Sequence, residues 1–153
     1  MGFLDVVYVL IFFFVLLIAV NVGDTAFRAV MPSLNGTFSN ATYNDMYAQH
    51  RYNNTFFDNS FAALFLLFCG ISIILTALLV SHPGALAAWL LINLVTLFLY
   101  DVLSAFLAAF MLGPLNTGAM ANAYDFWLSG VPKLVCVANI FLAVVLFGKR
   151  VTA

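Results

Sequence analysis

The stretch FAALFLLFCGISIILTALLV (61–80), followed by SHPG (81–84) and ALAAWLLINLVTLFLYDVLSAFLAAFML (85–112), decides the fold. Each apolar run reaches the roughly 20 residues that carry a helix across a ~30 Å hydrocarbon core. In lipid, every backbone N–H and C=O must be satisfied within the segment, so both runs should be helices. The brief connection between them forces an antiparallel hairpin, and Pro83 suits the start of its second arm.

Two more runs of the same kind flank this hairpin, roughly from Phe3 to Val22 and from Trp127 to Phe147. The sequence therefore predicts an all-α protein, a transmembrane four-helix bundle forming one membrane domain over 1–153. Its helices should lie at about 3–22, 61–80, 85–112 and 127–147. The first run lacks a positive leader and exceeds a signal-peptide core, so it reads as a retained helix or signal anchor. Hydrophobic residues make up 65% of the chain and charged residues 7%, far too little charge for the surface of a soluble domain.

The segment 23–60 is the one sizeable polar region and should be an extramembrane loop. Pro32 and Gly36 interrupt it, so continuous helix is not expected throughout, although its start at 24–30 can extend the first helix. It lacks the aliphatic content for a core of its own and should dock on a protein partner or another copy. Three sequons lie in it, at Asn35, Asn40 and Asn53, which would accept glycans in a secretory-pathway host. Tyr124, Phe126 and Trp127 look like an interfacial aromatic anchor before the last helix. Four crossings put both termini on one side, and Lys149-Arg150 favour a cytoplasmic C-terminus.

Asp101 is the costliest residue to insert, at ~2.5–3.5 kcal/mol for a mid-membrane Asp, and should face the bundle interior. Asn93, Tyr100, Asp101 and Ser104 share one broad helical face. Lys133 lies within a turn of the same depth on the antiparallel last helix and is the partner expected for Asp101. Asn139 should hydrogen-bond across the bundle, and Cys69 and Cys136 should be small packing residues. A stripe of Cys69, Ser72 and Thr76 should likewise pack closely.

The net charge is −1, so no basic face is available for nucleic acid. His50 and His82 fall in connections expected on opposite sides, and no zinc-protease pattern, Cys/His cluster or phosphate-binding glycine loop occurs. The expectation is a non-enzyme with no catalytic, cofactor or metal site and no evident small-molecule substrate. Its partners should be the lipid bilayer and other proteins.

Several short motifs carry a resemblance. Phe56-Phe57-Asp58 precedes the second apolar run, Ser81-His82-Pro83 forms the hairpin, and Leu103-Ser104 lies inside the third run. Val131-Pro132 and Gly148-Lys149 bracket the fourth. From Tyr52 to Arg150 this layout resembles small membrane proteins of tailless bacteriophages that carry an internal membrane. Ala105 departs from it, standing where an Asn is expected. The resemblance implies a structural component of a virion internal membrane, also present in the host inner membrane, that contacts capsid proteins or neighbouring copies. The alternative is a cellular four-helix protein of a eukaryotic plasma membrane or endomembrane, glycosylated on the first loop, with a junction, trafficking or accessory role. A small channel or transporter using Asp101 is a third reading. Claudin-like and tetraspanin families are disfavoured, because the chain has neither a cysteine pair in the first loop nor a Cys-Cys-Gly in a large loop.

Overall fold

The first apolar run continues into polar sequence without a break. In the computed structural model, which describes residues 5–79 and 83–151, α1 spans Asp5–Val30. Pro32 ends it, since proline supplies no N–H and clashes with the carbonyl one turn back. A short 3-10 turn, Met31–Leu34, and Gly36 at φ 92° then reverse the chain. Ser39 caps the next helix: its Oγ accepts the Thr42 N–H at 3.2 Å, and its carbonyl accepts that of Tyr43.

That helix, α2, runs unbroken over 40 residues, Asn40–Leu79. The polar segment expected as a loop is thus mostly helix, divided between the end of α1 and the first half of α2. At 1.5 Å per residue α2 is about 60 Å long, twice the ~30 Å hydrocarbon thickness. Helix α3, Pro83–Met111, returns alongside it. His82 and the rest of 80–82 lie outside the described residues, as do the side chains of Ser72 and Thr76.

The fourth run is two helices, α4 (Ala121–Leu128) and α5 (Val131–Val151), bent by 44°. Among the described residues, three helices are long and apolar enough to cross a membrane, and the bent pair makes a fourth if it is one span. The bundle is all-α, and the chain is an integral membrane protein. Large apolar side chains point outward along its length, among them Phe98, Phe141, Leu91 and Ile74. In water this would be an aggregation surface; in lipid it is the expected exterior.

The bend depends on Gly130 at φ 80°, a backbone conformation in which a Cβ meets the following carbonyl. Ser129 supports it: its Oγ donates to the Phe126 carbonyl and accepts the Val131 N–H. Gly130→Ala should cost ~1–2 kcal/mol through the backbone alone, because nothing crowds the site. Gly70→Ala, inside α2 with equally open surroundings, should be neutral or slightly stabilising. Thermal unfolding in detergent micelles reads both, and equal midpoints would show that the bend does not depend on the glycine.

The main core joins α1, α2, α3 and α4. Phe13 meets Phe61 and Phe65 edge-on at 5.2 and 5.3 Å, and Phe65 reaches Trp127 at 6.1 Å. Leu10, Leu17, Leu107, Met120 and Tyr124 complete the layer. A smaller cluster toward the other end seats Trp89 against Ile140 and Phe147.

Candidate functional site

Asp24 sits where α1 leaves its apolar run, and its side chain is 3% exposed. A carboxylate so enclosed must be compensated. Arg28, one turn later, donates Nε to Oδ2 at 2.7 Å. From α2, His50 Nε2 lies 2.8 Å and Asn54 Nδ2 2.9 Å from Oδ1. Facing a carboxylate, Nε2 is the imidazole nitrogen that carries the proton. The His50 ring also stacks on Phe27, with centroids 3.7 Å apart and planes within 13°. The groups of the knot follow i, i+4 spacing on both helices, acceptor Asp24 to donor Arg28 on α1 and His50 to Asn54 on α2, so the knot exists only because 40–54 is helical.

One turn below, Asn21 is fully buried; its Nδ2 donates to the Leu17 carbonyl and its Oδ1 lies 3.4 Å from Thr117 Oγ1. Thr25 Oγ1 reaches the Leu115 carbonyl, tying the α3–α4 connection to α1. Asp58 on α2 caps α4 from outside: Oδ1 accepts the Ala123 N–H at 2.9 Å and Oδ2 accepts Asn122 Nδ2 at 2.9 Å. This places a negative charge at the positive end of the α4 dipole. Between these two carboxylates lies a cavity of about 430 Å³, lined by Phe27, Tyr47, Arg28, Arg51, Asn54 and Asn122 among others. Both acids are engaged by protein donors. The arrangement binds α1, α2 and α4 into one polar head, and nothing in its geometry sets up a nucleophile beside a base.

Trp127, expected as an interfacial anchor, is fully buried, as is Tyr124. The short α4 turns both rings inward. Tyr100 stacks on Trp127 at 5.6 Å and its hydroxyl donates to the Trp127 carbonyl. Trp127 Nε1 donates to Ser104 Oγ at 3.0 Å, so Ser104 is a packing contact as expected. Asn93 and Asn139 also meet: Asn139 Nδ2 lies 3.4 Å from Asn93 Oδ1, while Asn93 Nδ2 donates to the Trp89 carbonyl. Cys69 and Cys136 are both buried free thiols.

Asp101 and Lys133 form the expected pair, with Nζ at 2.7 and 2.9 Å from the two carboxylate oxygens. Their location differs from the expectation. Asp101 is 56% and Lys133 44% exposed, so the pair lies on the outside of the bundle. The face around Tyr100 turns inward, and Asp101, 100° away, falls beside the α3–α5 seam. The three sequon residues are all exposed, Asn35 in the reversal, Asn40 at the start of α2 and Asn53 within it, where its Oδ1 accepts Gln49 Nε2.

Sequence reasoning missed Asp24, His50, Asn54 and Asp58, although their spacing was visible once 40–60 is read as helix. Comparison with protein-family models, curated proteins and solved structures finds no match to this chain.

Proposed function

We propose that this chain is a structural membrane protein whose bundle holds a polar helical head against a protein layer next to the bilayer. The observation that carries the reading is the outer face of the polar first half of α2. Tyr47 and Tyr52 are 45% and 66% exposed there, with Tyr43 and Arg51 lining the same surface. Tyrosine and arginine provide large, rigid contact area with polar ends, the composition of protein-binding surfaces. The knot at Asp24 fixes the direction in which this face points.

The setting favoured by the sequence resemblance is the internal membrane of a virion, with capsid proteins as the layer contacted. Photo-crosslinking residues introduced at 47 and 52 should yield one discrete protein adduct in lipid-containing particles, whereas one at 98 should label lipid or another copy. Labelling of lipid alone from 47 and 52 would sink the docking role. Recovery of the chain only in host membranes, never in particles, would remove the virion setting.

The exposed sequons support a second reading, a glycosylated cellular four-helix accessory protein, which a mobility shift on glycosidase treatment would favour. The channel reading rests on Asp101, which is paired with Lys133 on the exterior of the bundle.

A further inference from the structure

The exposed Asp101–Lys133 pair lies among lipid-type neighbours. On α3, Leu94 and Phe98 on the side toward Pro83, and Val102 on the other, are 59%, 72% and 49% exposed; on α5, Leu134 and Val137 are 67% and 48% exposed. Ionised side chains at membrane depth are ordinarily found facing protein or a water-filled cavity. This pair has protein on one side only. What covers the other side can be read from the arrangement of the charges.

Asp101 and Lys133 stand side by side on antiparallel neighbours, at the same height, with the negative group on α3 and the positive group on α5. A two-fold axis parallel to the helices, passing in front of the pair, brings each Asp101 opposite the partner's Lys133 and each Lys133 opposite the partner's Asp101. The patch is therefore complementary in charge to itself, which is the requirement of an isologous interface. Its surroundings suit close approach. Ala105 follows Asp101 by one turn and is exposed, so a second backbone meets little bulk there, while Leu94, Val137 and Val144 offer apolar contacts on the other side.

We infer that the chain self-associates in the membrane as a parallel two-fold dimer through the α3–α5 face. Two Asp101–Lys133 pairs join around the axis into one ring of four alternating charges. The occupant of this face is a second copy of the chain. The inference requires only that the bundle sits in a bilayer and is independent of the function proposed above.

The test uses the full chain, labelled with donor or acceptor dyes and reconstituted in phosphatidylcholine vesicles. Asp101→Lys places two positive groups at the patch, and Lys133→Asp places two negative groups there. Each variant alone should lose energy transfer, with association weakened at least ~10-fold, or ~1.4 kcal/mol. Mixed one to one, the two variants should associate with each other and recover transfer close to the wild-type level. Misfolded variants would not rescue one another, so the mixture separates loss of the interface from loss of the fold. Val137→Cys, near the axis, should form a disulfide-linked dimer, while Phe12→Cys, exposed on α1, should not. Wild-type chains that show no transfer on dilution in lipid overturn the proposal. So does association of either single variant as strong as wild type, or water-soluble quenchers reaching a probe at 101, which would place the pair among headgroups.

Discussion

Asp24→Ala should loosen the polar head by about 3 kcal/mol, near the lower end of the cost of breaking a buried charged pair. The change strands His50 and Asn54, which both bind Oδ1, and frees Arg28. Arg28 is more than half exposed and rehydrates readily, which keeps the cost from the upper end of the range. Asp24→Asn retains the shape and one acceptor oxygen, but sets an amide where Arg28 expects a carboxylate, so ~1–2 kcal/mol is expected. Asp45, exposed on the same helix that carries His50, is the control, and Asp45→Ala should have almost no effect. Amide hydrogen exchange of 40–54 in nanodiscs reads the difference directly, because this part of α2 carries the knot's His50 and Asn54. Unchanged exchange in Asp24→Ala would show that the knot does not order the head.

The second large effect is expected at Trp127. Trp127→Ala removes the ring between Phe65 and Tyr100 and should cost ~3–5 kcal/mol, as for other large core aromatics. Trp127→Phe retains most of the stacking and deletes only the donor to Ser104, which in a membrane interior is worth ~0.6 kcal/mol on average. Ser104→Ala should match Trp127→Phe, and the double variant should cost no more than either, since both remove one hydrogen bond. Unfolding in bicelles gives all four values. Additive losses from Trp127→Phe and Ser104→Ala would mean that the hydrogen bond is not shared in solution.

The four apolar runs were legible because length and composition alone fix a membrane helix. The Asp101–Lys133 pairing was legible because an antiparallel connection sets which depths meet, and Asn139 was legible as a residue that bonds across the bundle, although its partner Asn93 was not. The direction in which Asp101 points was not. Periodicity tells which residues share a face, while the identity of the neighbour on that face depends on how α1 and α4 pack, and α4 claimed Tyr100 and left Asp101 outside. Trp127 was misplaced for a related reason. Its sequence position beside a polar loop resembles a membrane boundary, but the glycine bend returns α4 into the bundle. The helical state of 40–60 was hidden by composition, since Asn, Tyr and Thr are poor helix formers. It is held by contacts that local propensity does not register: the Ser39 cap, the Phe27 stack and the Asp24 knot.

The unbroken α2 has a mechanical consequence. No proline interrupts it from Asn40 to Leu79, so it has no hinge between the head and the bilayer. If the membrane thins or thickens, an embedded helix adjusts by tilting. For a rod about 60 Å long, a tilt of ~10° sweeps the far end sideways by ~10 Å. Bilayer strain is thereby geared to lateral travel of the tyrosine face, and a load on that face returns as a torque on the lipid.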